Sequence, residues 1–166
     1  MAQTVSCWIG LGSNLDDPLH HLRQARCELA ATPLTRLAGS SSLYRGAPMG
    51  PADQPDYLNA VIELVTELSP LSLLRALQRI EFGHGRVRTG VHWGARTLDL
   101  DLLLYDGETI AEPSLTVPHP GIGERVFVLQ PLHECAPDLE IPGLGRVGTL
   151  LAACPPGVLE RLNDAW

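Results

Sequence analysis

The chain has 166 residues, 45% of them hydrophobic, and a net charge of −7. That length suits one domain with a core large enough to stand without disulfides, and the acidic balance excludes a general nucleic-acid binder. All twelve basic residues are arginines, which also excludes a phosphate-loop lysine, a Schiff-base lysine and a biotinyl lysine.

Cys7, Trp8, Ile9 and Leu11 predict a buried strand over Ser6 to Leu11. Gly12-Ser13-Asn14 reads as a turn, and the whole stretch Gly10-Leu11-Gly12-Ser13-Asn14 as a tight strand-to-helix turn. It lacks the third glycine of a dinucleotide loop. Asp16 or Asp17 caps a helix, with Pro18 at its first position, that runs to about Ala31. A second strand is expected over Thr35 to Tyr44 and a proline-rich loop over Gly46 to Asp56. A third strand follows over Tyr57 to Leu68, where Leu58, Ala60, Ile62 and Leu64 alternate with Asn59, Val61, Glu63 and Val65. Ser69-Pro70 opens a second helix that ends before Gly83. Gly83 to Gly94 holds four glycines as well as Arg86 and Arg88, and reads as a mobile lid. Thr97 to Tyr105 is a fourth strand, a further helix lies around Gly123 to Glu134, and Pro155-Pro156 marks a last turn.

The order strand, helix, strand, strand, helix, strand predicts an α+β, ferredoxin-like βαββαβ core over one catalytic domain, 1–166. No apolar run approaches the roughly 18 residues of a membrane span, and the start lacks an export signal's positive charge. A cytoplasmic protein without a membrane partner is expected. Cys7, Cys27, Cys135 and Cys154 form no C-x-x-C pair and are expected to be reduced and buried. His20 and His21 are expected on a solvated helix face.

The strongest chemical signal is Arg96-Thr97-Leu98-Asp99-Leu100-Asp101-Leu102-Leu103-Leu104. On a strand, Leu98, Leu100, Leu102 and Leu104 face one way, and Asp99 and Asp101 the other. Carboxylates roughly 6–7 Å apart repel by about 2–3 kcal/mol at an effective dielectric near 20. The pair alone reads equally as a magnesium site or as the solvated acidic face of an edge strand. Arg86, Arg88 and Arg96 lie within eleven residues just upstream and favour phosphoryl chemistry on magnesium. His119, between Pro118 and Pro120, and Arg125 offer further phosphate contacts. Asn59 has the paired donor and acceptor that a heterocycle's edge requires, and Tyr57, Trp93 and Phe127 offer rings for stacking. A nucleotide hydrolase keeps the same site, whereas a binding module for RNA or a protein partner conflicts with the charge.

Trp93-Gly94-Ala95-Arg96-Thr97-Leu98-Asp99-Leu100-Asp101 resembles the signature of the 6-hydroxymethyl-7,8-dihydropterin pyrophosphokinase family. So do Ile9-Gly10-Leu11-Gly12-Ser13-Asn14-Leu15, Gln54-Pro55-Asp56-Tyr57-Leu58-Asn59-Ala60, Gln78-Arg79-Ile80-Glu81 and Leu115-Thr116-Val117-Pro118-His119. The resemblance implies a monomeric, ferredoxin-like enzyme of folate synthesis. It would move diphosphate from ATP to the pterin hydroxymethyl group and release AMP, with no nucleic-acid or membrane partner. It implies two magnesium ions on Asp99 and Asp101, and catalytic roles for these with Arg86, Arg96 and His119. Gln78, Glu81, Arg88, Arg96, Leu102, Thr116, His119 and Arg125 would contact ATP. Gly46, Ala47, Met49, Tyr57, Asn59, Trp93 and Phe127 would form the pterin pocket. Gly46, Ala47, Thr89, Ser114 and Pro120 depart from the residues of the best-known bacterial members.

Overall fold

A computed structural model describes residues 3–47, 53–85, 97–155, 157–163 and 165–166. Residues 86–94 of the expected lid, with Arg86, Arg88 and Trp93, lie outside these residues, as do Arg96 and the expected pterin contact Met49.

The expected core is present as strand β1 (Val5–Ser13), helix α1 (Pro18–Ala30), strands β2 (Thr35–Ser40), β3 (Tyr44–Gly46) and β4 (Tyr57–Thr66), helix α2 (Pro70–Gly83) and strand β5 (Asp99–Tyr105). β1 lies between β4 and β5, antiparallel to both, and β2 pairs with the outer edge of β4. The order β5-β1-β4-β2 interleaves two split βαβ units, the arrangement called ferredoxin-like. Asp17 caps α1 by accepting from the His20 N–H, and Ser69 caps α2 by accepting from that of Ser72. α1 and α2 bury Leu22, Ala25, Leu29, Leu73 and Leu77 against Cys7, Ile9, Leu11, Ala60, Ile62 and Leu64 on one face of the sheet.

The expected strand from Thr35 to Tyr44 is two strands on one track. β2 follows β4 from Thr66 to Ile62, and β3 resumes opposite Asn59 to Tyr57. Between them the Ser41 N–H donates to the Val61 carbonyl, while its Oγ accepts from the Val61 N–H at 3.0 Å. The hydroxyl takes the place of a backbone carbonyl, so the chain crosses the gap with β4 still satisfied. The expected turn at Gly10-Leu11-Gly12-Ser13 belongs to β1, which stays paired through Ser13.

Alternation along β5 also fails at one point. Leu98, Leu100 and Leu102 join the core beneath α1 and α2, but Leu104 lies in the opposite cluster with Trp8. A bulge causes this: Ile9 pairs with Leu102 and Trp8 with Leu104, which leaves Leu103 over and turns the following residue to the other face.

The chain beyond β5 covers part of that other face. β6 (Ile110–Glu112) and β7 (Leu115–Val117) form a hairpin, a 3₁₀ turn spans Ile122–Glu124, and helix α3 follows over Val126–Cys135. Two more short strands, β8 (Glu140–Ile141) and β9 (Gly145–Arg146), lead into helix α4 (Val147–Ala153), and β10 (Leu159–Arg161) pairs with β3. Val128, Leu129, Leu132 and Val147 pack on Trp8, Val61, Leu103 and Leu104. Glu134 ties α3 to β3 by accepting from the Ser42 N–H and Oγ and from the Tyr44 hydroxyl at 2.7 Å. Burial alone would raise its carboxyl, but the bonds from Tyr44 and Ser42, with Arg161 nearby, hold it below the usual range.

Two expectations about surface groups are corrected. His21 is half-buried rather than solvated: its Nδ1 lies 2.7 Å from Nδ1 of His84, whose Nε2 lies 2.9 Å from Glu28. The C-terminus of α2 brings His84 there. All four cysteines are free, yet Cys27 is exposed on α1, and only Cys7 is fully buried. Burial, then Glu63, pushes the Cys7 thiol up to about 12; burial, then Glu134, pushes Cys135 up to about 11. A raised thiol holds its proton at pH 8 and is a poor nucleophile. Iodoacetamide at pH 8 should therefore alkylate Cys27 in the native protein and reach Cys7 and Cys135 only after denaturant is added. Peptide mass analysis reads this directly, and Cys7 labelled as fast as Cys27 would contradict the packing of β1.

Candidate active site

Three adjacent strands build the floor of the site on the face away from α1 and α2. Register places Asp99 opposite Gly12 and Gly12 opposite Asn59, with Asp101 opposite Gly10 and Gly10 opposite Val61. All six residues share that face by strand alternation. Gly12 leaves a gap in the row of side chains between Asp99 and Asn59, whereas Leu103 packs over Gly10. A Cβ on Gly12 would come within 3.2 Å of Asn59 Oδ1 and 3.6 Å of the Tyr57 ring. On Gly10 it would meet Leu103 at 3.4 Å. Asn59 is buried and Tyr57 half-buried, so an amide edge and a ring border the gap on one side. Asp99 and Asp101, both half-buried, border it on the other.

Beside the diacid lies His119. Its N–H donates to the Leu103 carbonyl, which fastens the turn after β7 to β5. Its Nδ1 accepts from the Gly121 N–H at 3.2 Å, so a neutral ring carries its proton on Nε2, which faces Asp101 Oδ1 at 3.7 Å. Burial, then the Arg125 charge, pushes His119 below the ordinary histidine value, against an opposing pull from Asp99. Arg125 folds over Gly121, where a Cβ would sit 2.4 Å from its Nε, so that position accepts no side chain while the guanidinium is there. The same guanidinium lies 5.8 Å from the Phe127 ring. His119, Arg125 and Phe127 thus form one connected group beside Asp101.

A cavity of about 270 Å³ opens between α2, β5 and β7. Asp101, Leu102, Thr116 and His119 line it, with Leu74 and Leu100 from the apolar side and Ser114 and Pro120 at the loop. It combines an apolar wall with a carboxylate and an imidazole at one end, as a site for a part-flat, part-charged ligand does. Gln78 is exposed on α2, outside this lining. Glu81 is buried, and its Oε2 accepts from the Leu100 N–H at 2.8 Å, midway between the two aspartates. Gly46 is buried on β3 opposite Tyr57, and Ala47 is exposed just beyond it.

Magnesium suits this donor set. Among the described residues no group of three or more histidine, cysteine, aspartate or glutamate side chains is arranged to hold a metal. Two carboxylates on an open face match the way magnesium is held, by one or two carboxylates with water and substrate phosphates completing the shell.

The family model described as 7,8-dihydro-6-hydroxymethylpterin-pyrophosphokinase (HPPK) matches residues 8–137. The chain belongs to this family. A curated relative from Pseudomonas aeruginosa, a 2-amino-4-hydroxy-6-hydroxymethyldihydropteridine pyrophosphokinase, is 48% identical over 95% of this chain and 97% of its own length. A second of the same name, from Haemophilus influenzae, is 50% identical over 96% of this chain and 99% of its own. Among solved structures, Plasmodium falciparum HPPK-DHPS superposes with a TM-score of 0.73 over 92% of this chain and 46% of its own length, at 14% identity. That likeness establishes the α+β fold of an HPPK family member.

The place of Gly12 between Asp99 and Asn59 was not legible in the sequence, because only the pairing register sets it there. Sequence reasoning also assigned Glu81 to a ligand without seeing its bond to β5. Glu81→Ala should leave the Leu100 N–H unmet and cost about 2–3 kcal/mol. Glu81→Gln, which keeps a carbonyl acceptor, should recover more than half of that loss. Urea unfolding of the three proteins would show it, and equal losses in both variants would mean that the carboxylate matters for its charge instead.

Proposed function

We propose that this protein transfers the terminal diphosphate of ATP to the hydroxymethyl oxygen of 6-hydroxymethyl-7,8-dihydropterin, releasing AMP, within folate biosynthesis. The observation that carries the reading is the register that sets a diacid on one side of Gly12 and an aromatic–amide pair on the other. Family membership and the shared name of two relatives about half identical support it.

The two rims suit two substrates. Asn59 would hydrogen-bond the pterin edge while Tyr57 and Phe127 pack on its faces, and the lack of side chains at Gly12 lets a flat ring lie against the sheet. Gly46 and Ala47 would close that side through their backbone. ATP would enter from the cavity side, along Leu102, Thr116 and His119, with its phosphates toward Arg125 and the diacid. Gln78 and Glu81, as further nucleotide contacts, belong to the same reading. Magnesium, two ions by this reading, would be held by Asp99 and Asp101 and would neutralise phosphate charge there when bound. The half-buried setting of the diacid strengthens its electrostatics relative to water, and placing the hydroxymethyl group beside the phosphates lowers the entropic part of the barrier. Arg86, Arg88, Arg96, Trp93 and Met49 are assigned to the same two pockets from the sequence alone. Among the described residues no helix is long and apolar enough to cross a membrane. A monomeric, cytoplasmic enzyme of one catalytic domain, without a nucleic-acid partner, completes the proposal.

Three variants test the two rims separately. Asp99→Ala or Asp101→Ala should keep the circular dichroism of the parent and lose nearly all AMP formation with ATP, magnesium and the pterin, followed by mass analysis of products. Activity near that of the parent in either would sink the metal assignment, and AMP formed at full rate without pterin would favour a hydrolase. Asn59→Ala should weaken pterin binding by about 1–3 kcal/mol, the cost of an unmet buried polar edge, with ATP binding little changed. Calorimetry with each ligand alone decides this, and equal losses for both would move Asn59 into a structural role.

A further inference from the structure

We infer that Ser13 and Asn14 are positioning residues that hold the two rims of the site at a fixed separation. The inference rests on the assignment of Asp99 and Asp101 to magnesium and of Tyr57 and Asn59 to the pterin.

The sheet ladder does not do this job alone. Pairing of β1 with β5 ends at Gly12 opposite Asp99, and pairing of β1 with β4 ends at Ser13 opposite Leu58. The approaches to β5 and β4, where the chain turns onto the two rims, lie beyond the last rungs. Ser13 and Asn14 reach those approaches with side chains. Ser13 is fully buried, and its hydroxyl donates to the carbonyl of Thr97, two residues before Asp99. Asn14 is 2% exposed, and its amide nitrogen donates to Gln54 Oε1 at 3.0 Å and to the Pro55 carbonyl at 2.9 Å. Pro55 stands two residues before Tyr57 and four before Asn59. Pro55 also has no N–H of its own, so no ladder bond can be donated there. One dipeptide therefore holds the diacid strand with its first residue and the ring–amide strand with its second.

Two buried polar side chains are a costly way to fill a turn, since each carries a desolvation penalty that only good partners offset. Their arrangement explains the cost: each arm ends on a different rim. A small shift of an approach would move Asp99 or Tyr57 with it, and misplacement by about 1 Å can cost on the order of a hundredfold in rate.

The two arms make separable predictions in the full-length protein. Asn14→Ala should raise the dissociation constant for the pterin by about tenfold or more, the effect of losing two orienting hydrogen bonds, and leave that for a non-hydrolysable ATP analogue with magnesium within about twofold. Ser13→Ala should raise the magnesium concentration for half-maximal rate and leave pterin affinity unchanged. Asn14→Asp keeps the shape but presents oxygen to both acceptors, and should behave like Asn14→Ala. Gln54→Ala removes one partner from outside the buried turn and should give a smaller, equally pterin-selective loss, which keeps the test open if the Asn14 variants fold poorly. Equal weakening of both ligands across these variants, or lower melting temperatures with unchanged affinities, would overturn the inference and leave a turn that serves stability only. Asp99→Asn measured alongside separates the two levels. If it retains activity, the metal assignment fails and this inference with it. If it is inactive while the Ser13 and Asn14 variants show no split, only this inference fails.

Discussion

The antiparallel register of β1 between β4 and β5 is the constraint on which the site depends. It sets Gly12 between Asn59 and Asp99, and Gly10 between Val61 and Asp101. A slip of one residue would turn Ile9 and Leu11 into the floor and send the glycines into the core. Burial of Cys7, Ile9 and Leu11 beneath α1 and α2 forbids that slip. The hydrophobic effect on one face therefore fixes the polar geometry of the other.

The diacid strand is held from three directions. β1 pairs with it on one edge, Glu81 meets its outward Leu100 N–H on the other, and Ser13 holds the carbonyl of Thr97 ahead of it. Its two carboxylates repel each other and would otherwise favour a looser backbone. The bulge at Leu103 adds a further use. It turns Leu104 toward Trp8 and α3, so the same strand carries the diacid at its start and serves the second core at its end. The N-terminus of α3 then brings Arg125 and Phe127 back beside His119.

Much of the fold was legible because the core strands and helices carry strong periodic patterns. β4 sends Ala60, Ile62 and Leu64 to one face and Val61 to the other, as its alternation implies, and α1 and α2 begin at a capping residue followed by proline. The misses share one cause. Ser41 imitates a backbone acceptor, and nothing in local composition marks that, so two strands read as one. The bulge at Leu103 is a mismatch between two strands and has no signature in either alone. α4, β8, β9 and β10 are short and take their stability from packing and pairing with distant segments, which a local pattern cannot report.

The sequence by itself determined the chemistry available: an all-arginine set of cations, two aspartates alternating with leucines, an asparagine and a few aromatic rings, and motifs specific enough to indicate the family. Residue type and spacing of two are local properties, and they survive without knowledge of partners. Only the tertiary structure decided that Gly12 separates Asp99 from Asn59, that Glu81 and Ser13 serve the strand of the diacid, and that burial and Arg125 push His119 below the ordinary histidine value beside Asp101. Each of these depends on which strands lie side by side and on how deeply a group is buried, and both follow from long-range packing of the whole chain.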